Sequence, residues 1–469
     1  RLANRGLLPM FGFPTRGRSL YYTRPASPRQ LKTVDRDLTI AVSEFAPGSE
    51  IVKDKKVYQS AGVVSYVPQG PWMVPDPNPL GSVWRLGICP SCAATGPAES
   101  DELIACPVCN EPGYEVVETS QPKGFRTDYQ QGRPYDWEFD TGTRAGQAQM
   151  STSFQPQLEV QCHRTLLQGG KADVFVVNRG ENGGGFDFQR VADGHGLVVK
   201  KALRNPNGIK VGGEIFNRVL LSRLTTDVLV LQVQRDEDLQ GVTLDPRLVE
   251  IRAAWHSLAF LLRKAAALML EVDQRELRTG IRPARDSNGG VTGEVFIADE
   301  LENGAGYATY LGLPENFEGI LGDVLNRDGG IVPQSHFEGG GVCDSSCYDC
   351  LRDYWNRSYH PLLDWRLGLD LARLAAGYRL EPEYNWPDLG QAMVEKFCQD
   401  FGGTVYDFAG LPGGEIDAVR FVAAHPLWDK KSPPRRLAEA LAAAGRAAAL
   451  VDYFELVRRP AIVYQRIMG

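Results

Sequence analysis

The feature that most constrains this chain is a pair of short cysteine turns. Cys89, Cys92, Cys106 and Cys109 follow the spacing C-x2-C-x13-C-x2-C, with a proline inside each pair. Two such turns, joined by thirteen residues, can bring four thiolates to one tetrahedral ion. The spacing therefore predicts a structural zinc ribbon over residues 81–120, which would depend on its metal for folding.

A second cysteine cluster lies in the C-terminal half of the chain. Cys343, Cys347 and Cys350 form C-x3-C-x2-C in a polar, glycine-rich stretch, where unligated core thiols are the weaker explanation. Zinc held by three thiolates and one more ligand is the natural chemistry, and it indicates a structural site. His360, ten residues after Cys350, is the first candidate for the fourth ligand. The other candidates are Asp344, His336, Cys162 and Cys398.

Length and composition bound the fold class. A chain of 469 residues is too long for one ordinary core, and no apolar run is long enough to span a membrane. Fifty glycines and thirty prolines indicate many turns and substantial β content. We therefore expect a multidomain α+β protein, with a β-rich N-terminal half that carries the zinc ribbon and a mixed α/β zinc-binding C-terminal half. The expected segments are a basic arm with a small β unit (1–80), the zinc ribbon (81–120), a β-rich domain (121–240), a second zinc-binding domain (241–385) and a C-terminal α/β domain (386–469).

Hydrophobic periodicity predicts the main elements. Residues 38–68 alternate apolar and polar positions and indicate a small antiparallel β unit. Residues 247–272 predict a long, largely buried helix, on which His256 is a core histidine rather than a ligand. Residues 362–377 predict an amphipathic helix behind the second cluster, and residues 435–451 predict an alanine-rich helix.

Two carboxylate pairs could support metal-dependent hydrolysis, but a structural role is favoured for both. Asp299 and Glu302 follow a predicted strand and would satisfy helix N-terminal amides. Glu415 and Asp417 share a strand, but no Glu-x-Lys follows them. Since the sequence also contains no G-x-x-x-x-G-K-[ST] and no DEAD-like box, we expect no catalytic residue and no ATP hydrolysis by this stretch alone.

Any DNA contact must be local, because the net charge is −7. Residues 1–37 are rich in arginine with interleaved aromatic residues, a pattern that could pair phosphates and stack on bases. The nucleic-acid-binding candidates are Arg16, Arg18, Tyr21 and Tyr22. The alternative is a solvated arm that lies along a neighbouring domain.

Two stretches together resemble a known family. ADELENGAGYATYLG followed by CDSSCYDCLRDYWNRSYHPLLDW is similar to the MrfA-type zinc-binding domain at the C-terminus of large superfamily 2 DNA helicases, over roughly residues 245–380. The opening RLANRGLLPMFGFPTRGRSLYY and AVSEFAPGSEIVKDKKVYQSAG resemble segments that follow the motor lobes of such helicases. The chain looks most like the C-terminal portion of Druantia-type anti-phage helicases, with proteins of the DISARM defence system more remote. Relatives often supply a fourth cysteine nearby, whereas none follows Cys350 here within forty residues.

The resemblance implies a zinc-bearing accessory region of an ATP-dependent helicase in phage defence, supporting DNA engagement and assembly. It implies that Cys343, Cys347 and Cys350 bind Zn²⁺, which together with the ribbon predicted from spacing makes two Zn²⁺ sites, and it places ATP and Mg²⁺ only in a motor upstream of Arg1. The implied partners are single-stranded DNA or a duplex junction, the motor lobes, and defence proteins or a second copy, without a membrane. Clustered cysteines favour a reducing cytoplasm. The alternative from another class is a zinc-stabilised protein-interaction scaffold without its own nucleic-acid contact.

Overall fold

The structure, a computed structural model, divides into two compact units. It describes residues 16–98, 105–138, 148–337, 343–386, 389–445 and 447–469, without the side chain of Leu389. The first unit takes the described residues up to Phe154 together with Ala172–Thr226, and the second takes Gln155–Lys171 and the described residues from Asp227 onward. The β-rich N-terminal half and the mixed α/β C-terminal half predicted from the sequence are confirmed.

The strands and helices are numbered along the chain. The strands are β1 (Gly17–Tyr21), β2 (Thr33–Asp37), β3 (Glu50–Lys53), β4 (Lys56–Val63), β5 (Tyr66–Gln69), β6 (Trp72–Pro75), β7 (Val83–Ile88), β8 (Thr95–Pro97), β9 (Glu115–Ser120), β10 (Phe125–Thr127), β11 (Arg133–Pro134), β12 (Ala148–Met150), β13 (Leu158–Cys162), β14 (Thr165–Asn178), β15 (Phe186–Val191), β16 (Leu197–Val199), β17 (Val211–Val233), β18 (Leu277–Arg285), β19 (Val291–Asp299), β20 (Thr404–Phe408), β21 (Leu411–Ile416), β22 (Val419–Ala424) and β23 (Ala449–Asp452). The helices are α1 (Leu38–Glu44), α2 (Val249–Met269), α3 (Tyr307–Leu311), α4 (Pro314–Leu325), α5 (Trp365–Ala375), α6 (Pro382–Asn385), α7 (Leu389–Phe401), α8 (Arg435–Ala444), α9 (Tyr453–Arg458) and α10 (Pro460–Met468).

The first unit is built on β-strands. Strand β4 pairs antiparallel with β3, β10 and β16, and β1 pairs with β2 and, in parallel, with β10. Helix α1 packs its apolar side, including Leu38 and Val42, with Phe45, Phe125 and Phe188 in the core of this unit. Strand β7 pairs with β8 on one side and β9 on the other, and these strands flank the cysteine turns. The ribbon thus extends from a regular sheet.

The second unit is organised around α2. This helix is apolar on almost all sides and is buried along most of its length, packing against α5, α4 and the β18–β19 hairpin. Trp255, which is fully buried, donates its indole N–H to the carbonyl of Leu244 at 3.0 Å. A Cβ at Gly293 would lie 2.5 Å from the Trp255 indole nitrogen, so only glycine lets β19 approach α2 this closely. His256 is buried on the same helix, as the sequence predicted.

The core of the second unit continues into the C-terminal segment. Side chains of α2 and α5 share one apolar cluster with Trp386, Phe397, Phe421 and Val451. The predicted boundary at residue 385 therefore falls within a continuous core. The five-segment division itself stays a prediction.

Two local predictions were wrong. Residues 38–44 form α1 rather than a strand, because Leu38, Ala41 and Val42 are buried at helical spacing and Asp37 caps the first turn by accepting from the amide of Thr39 at 2.8 Å. The predicted helix over 435–451 ends as α8 at Ala444. Gly445 follows with a φ of 104°, and the chain continues as β23, which pairs in parallel with β22.

Candidate metal centres

The two ribbon turns have the same backbone geometry. Ala93 donates its amide to the carbonyl of Cys89 at 2.9 Å, and Asn110 donates to Cys106 at 2.9 Å. Ala93 and Asn110, each four residues after the first cysteine of its pair, have φ values of 64° and 60°. This left-handed position closes each turn so that backbone amides face the sulfur of the first cysteine. Val108 illustrates the result, because its amide lies 3.4 Å from Sγ of Cys106.

The four ribbon sulfurs converge on one point. Sγ of Cys89 lies 3.6 Å from Sγ of Cys109, and Sγ of Cys92 lies 3.7 Å from Sγ of Cys106. Four sulfurs placed tetrahedrally about zinc at about 2.3 Å are about 3.8 Å apart. All four cysteines are buried. The arrangement is a closed four-sulfur site that fits a structural Zn²⁺.

The raised pKa values of two ribbon cysteines indicate that a bound cation is needed to hold all four as thiolates. Burial raises the pKa of Cys92, and the nearby sulfurs of Cys106 and Cys89 raise it further. Burial also raises the pKa of Cys106. Four thiols packed in this way cannot all ionise unless a positive ion offsets their mutual repulsion. Zinc supplies that charge and takes thiolates as its ligands.

The second centre joins three cysteines and one histidine. Cys350 Sγ lies 3.9 Å from Cys343 Sγ and 3.7 Å from Cys347 Sγ. Nε2 of His336 lies 3.3 Å from Sγ of Cys347, and the four ligand atoms lie within 4.8 Å of one another. A tetrahedral zinc with one nitrogen and three sulfur ligands gives nitrogen–sulfur separations of about 3.5 Å. The residues therefore fit a three-sulfur, one-nitrogen zinc site.

His336, rather than His360, lies at this centre. His360 instead directs Nε2 to the side-chain oxygen of Asn356 at 2.8 Å and to the carbonyl of Asp353 at 3.1 Å. The short 3₁₀ turn Arg357–Tyr359 holds the ring in that position. His336 lies seven residues before Cys343, so the spacing H-x6-C-x3-C-x2-C was the feature of the sequence that could have identified it as the fourth ligand.

Of the alternative ligands, Asp344 is not part of the cluster, although its carbonyl accepts from Arg366 at 2.7 Å. Cys398 lies elsewhere, near the carbonyl of Thr404.

Helices α2 and α5 hold the second centre from behind. Lys264 of α2 donates its ammonium to the carbonyls of Asp349, at 2.5 Å, and Cys350, at 3.2 Å. The first residue of α5, Trp365, donates its backbone amide to the backbone carbonyl of Ser345 at 2.9 Å. The pKa of Cys350 is lowered to about 5, chiefly by its hydrogen bond with the Cys343 thiol, which favours a thiolate within the second centre. The helix predicted behind the cluster thus orients the metal loop.

The acidic residues considered for hydrolysis have structural partners. The fully buried carboxylate of Asp299 accepts hydrogen bonds from the amides of Ala305 at 2.5 Å and Ala308 at 2.8 Å, so it caps the first turn of α3. Glu415 accepts from Arg420 at 3.0 Å, and Asp417 lies in the turn between β21 and β22. Glu302 is exposed. These carboxylates do not converge on a common site.

The arm residues proposed for DNA are engaged within the first unit. Arg16 donates to the carbonyl of Arg223 at 2.7 Å, and Arg18 donates to the carbonyl of Pro122 at 2.6 Å. Tyr21 is buried, and the ring of Tyr22 packs against Tyr58. Residues 1–15, which hold the rest of the basic arm, lie outside the described residues. The assignment of DNA contact to Arg16, Arg18, Tyr21 and Tyr22 stays a prediction.

An exposed aromatic surface adjoins the second centre, and the sequence analysis did not single it out. We call Tyr348, Tyr354 and Trp355 the aromatic surface; their exposed fractions are 67%, 55% and 47%. The guanidinium of Arg357 lies over the ring of Tyr354 at 4.3 Å. The alternation of arginine and aromatic residues in LRDYWNRSY was the available signal.

Trp355 also lines a cavity of about 540 Å³. The charged residues that line this cavity are Arg263, Lys264, Arg275, Asp273 and Asp353. Arg263 pairs with Asp353 and Arg275 pairs with Asp273, so the excess positive charge of the cavity, beside an exposed indole, is that of Lys264.

Comparison with known proteins identifies the segment that contains the second centre. Residues 258–351 match the MrfA Zn-binding domain. The match begins in the middle of α2 and ends just after Cys350, so it covers the C-terminal half of that helix and the three cysteines. His336 also lies within it. The family resemblance predicted from the sequence is confirmed.

Most of the chain is also similar to one curated protein. Druantia protein DruE of Escherichia coli (strain UMEA 4076-1) is 27% identical over 434 residues, which cover 84% of this chain and 22% of that relative. The chain therefore spans about a fifth of the length of DruE.

Two solved structures are similar at low scores, and both are of the DUF1998 helicase MrfA. The structure of MrfA bound to DNA has a TM-score of 0.35 at 11% identity and covers 76% of this chain and 34% of that chain. The structure bound to DNA and AMPPNP has a TM-score of 0.26 at 10% identity, covering 72% and 32%. TM-scores this low do not by themselves establish a common fold. Across the described residues, every helix is too short or too polar to pass through a lipid bilayer.

Proposed function

We propose that this chain is the zinc-bearing accessory region of an ATP-dependent DNA helicase that acts in anti-phage defence in the cytoplasm. The similarity to DruE over most of the chain and the MrfA-type match support this assignment. Motor lobes that bind ATP and Mg²⁺ would belong to another part of the same protein. In this proposal the two zinc ions are structural, and the chain's own contribution is to hold DNA.

The observation that carries the DNA contact is the position of Trp355. Its exposed indole borders the cavity whose lining includes Arg263, Lys264 and Arg275. Bases of single-stranded DNA stack on exposed aromatic rings, and neighbouring cations meet the phosphates. Tyr348 and Tyr354 extend the aromatic surface beside the metal loop. A single strand, or the single-stranded side of a junction, fits this combination better than a closed duplex, because unpaired bases are free to stack.

The zinc ion would position this surface. Tyr348 lies between Cys347 and Cys350, so its backbone is fixed by two ligands of one ion. Ionic contacts reinforce the same region, because Arg263 of α2 forms an ion pair with Asp353. The metal loop and the cationic cavity are therefore parts of one continuous surface of the second unit.

Binding of the full chain to fluorescent single-stranded DNA, measured over a range of salt concentrations, tests this proposal. We expect affinity to fall steeply with salt, because counterions are released at each phosphate contact. Trp355→Ala should weaken binding by roughly 5- to 100-fold, the range expected for loss of one stacked base. Trp72→Ala is the matched control, since Trp72 is 64% exposed in the first unit and plays no part in the proposal.

A second variant tests the cationic part of the site. Arg275→Ala should reduce the slope of log affinity against log salt concentration by about 1, the value for one lost phosphate contact. Arg379, another exposed arginine in an ion pair, is the control, and Arg379→Ala should leave the slope unchanged. No measurable binding at about 50 mM salt, or equal effects of Trp355→Ala and Trp72→Ala, would refute the DNA contact.

The alternative function is a zinc-stabilised interaction scaffold, with defence-system proteins or a second copy as partners. The same aromatic surface supports it, because exposed tyrosine and tryptophan also form protein-binding hot spots. In that case single-stranded DNA would not bind, and Trp355→Ala would instead weaken capture of a partner or self-association.

A further inference from the structure

A third group of metal-ligating side chains lies in the second unit, apart from both cysteine centres. Cys162 is the last residue of β13, His163 lies in the turn between β13 and β14, and Glu318 comes from α4. The thiol sulfur, one imidazole nitrogen and one carboxylate oxygen lie within 4.8 Å of one another. Cys162 is buried, whereas His163 and Glu318 are exposed.

The separations between these atoms fit a shared ion better than they fit direct bonds. Oε1 of Glu318 lies 3.5 Å from Nε2 of His163 and 3.8 Å from Sγ of Cys162. A good N–H···O hydrogen bond is about 2.7–3.2 Å long, so the histidine–glutamate distance is too long for a strong one. Tetrahedral zinc gives nitrogen–oxygen and sulfur–oxygen edges of about 3.4 and 3.6 Å, close to both distances.

The turn that presents two of the three groups is held rigidly. His163 has a φ of 50°, a left-handed conformation that is uncommon for non-glycine residues. The next residue, Arg164, has a side chain only 5% exposed; it donates to the carbonyl of Tyr378 at 2.6 Å and pairs with Asp236 at 2.5 Å. The contacts of Arg164 therefore hold the backbone that carries Cys162 and His163.

Helix α4 fixes the third group. Phe317 and Leu321 on either side of Glu318 are buried in the same apolar core as Cys162. The helix therefore cannot rotate Glu318 away without exposing core side chains. The carbonyl of Pro314, at the start of α4, is 4.0 Å from the Cys162 sulfur.

We propose that Cys162, His163 and Glu318 form a third zinc site, with Zn²⁺ bound by one thiolate, one imidazole and one carboxylate. Solvent supplies the fourth ligand, because two of the three protein ligands face water and three protein ligands leave one tetrahedral position open. The ion joins the β13–β14 turn to α4, and it exchanges more readily than the ions of the two closed centres. The proposal does not depend on DNA binding.

Metal content of the purified full chain tests the site. After equilibration with Zn²⁺ and removal of the excess, we expect three zinc ions per chain in the parent and two in Glu318→Gln and in His163→Ala. Both substituted residues are exposed, and glutamine keeps the shape of glutamate, so these variants retain the fold. Cys398→Ser is the matched control, a buried cysteine outside the three groups, and should keep three ions.

Thermal unfolding provides a second readout. Added Zn²⁺ should raise the midpoint of the parent and of Cys398→Ser, because an ion that binds only the folded chain stabilises it. The same addition should raise the midpoints of Glu318→Gln and His163→Ala by less, because these variants keep only the two cysteine centres. Two ions per chain in the parent, or three ions retained in both variants, would overturn the third site.

Discussion

His336 places its Nε2 atom 3.3 Å from the sulfur of Cys347, while His360 lies at a distance and bonds to Asn356. His336→Ala should therefore remove the fourth ligand of the second centre and lower its zinc affinity by more than about 100-fold, since even second-shell changes cost 10- to 100-fold. His360→Ala is the matched control and should retain the ion. The fraction of zinc that each variant retains in competition with a chelator measures the affinity of the second centre in His336→Ala and in His360→Ala. Equal loss in the two variants would contradict the assignment of His336.

The ribbon should depend on its metal. Cys106→Ser removes one ligand of the closed four-sulfur site, and the contribution of structural zinc is on the order of 10 kcal/mol in small domains. We expect loss of one zinc ion and rapid hydrogen exchange over residues 83–97 and 105–120, with the second unit unchanged. Exchange of the ribbon amides as slow in Cys106→Ser as in the parent would show that the strands fold without zinc.

Helix α4 contains a glycine, Gly322, whose replacement by alanine should stabilise the protein. A Cβ at Gly322 meets nothing within 4 Å, so Gly322→Ala should raise the free energy of unfolding by about 0.5–1 kcal/mol through helix propensity. In the same helix, a Cβ at Gly319 would lie 2.7 Å from the terminal methyl of Met269, so Gly319→Ala should gain less or lose stability. Urea unfolding monitored by circular dichroism compares the two variants. A larger gain at Gly319 than at Gly322 would contradict this account.

Because His256 is buried in its neutral form, the free energy of unfolding should decrease as the pH falls. Complete burial, aided by the charge of Arg252, lowers its pKa from 6.5 to about 3. The unfolded chain therefore takes up a proton first as the pH falls, and the stability contributed by neutral His256 is present above pH 6.5 and is lost between pH 6.5 and 3. The full change is about 4–5 kcal/mol.

His256→Phe isolates this effect, because the ring of His256 packs on Tyr359 at a centroid distance of 4.7 Å and phenylalanine keeps that aromatic contact without titrating. Acid also releases zinc, so the quantity to measure is the difference in unfolding free energy between parent and variant at each pH. That difference should shift in favour of the variant as the pH falls below 6.5. A constant difference from pH 7 to pH 4 would show that His256 takes up a proton as readily in the folded protein as in the unfolded chain.

A buried polar network should tie α5 to the C-terminal segment. The carboxylate of Asp370 is 1% exposed and accepts hydrogen bonds from His425 at 2.8 Å, from Trp386 at 2.7 Å and from Asn385 at 2.6 Å. Asp370→Ala leaves these buried donors unpaired and should cost about 3–5 kcal/mol. Asp400→Ala, which removes an exposed ion pair with Lys396, should change stability by less than about 0.5 kcal/mol. Chemical denaturation distinguishes them, and similar small effects would argue against the network.

The sequence by itself determined the elements whose chemistry is local. The spacing of Cys89, Cys92, Cys106 and Cys109 required two identical turns, because only a few backbone geometries let a pair of cysteines separated by two residues share an ion. The long apolar run of α2 required burial along most of the helix, and the residues around Cys343 gave the resemblance to the MrfA-type zinc-binding domain. Each of these signals is complete within a short stretch of chain.

Only the tertiary structure decided which distant groups meet. His336 and His360 were both within reach of the second cluster in sequence, and the packing of α2 and α5 behind the metal loop brought the first of them to the sulfurs. Cys162 and Glu318 are 156 residues apart, so no spacing could have linked them. Arg16 and Arg18 were predicted from the sequence to contact phosphates; the fold also gives them carbonyl partners, and their contact with DNA stays a prediction. Local pattern specifies what a segment can do, whereas burial and long-range packing select which possibility is realised.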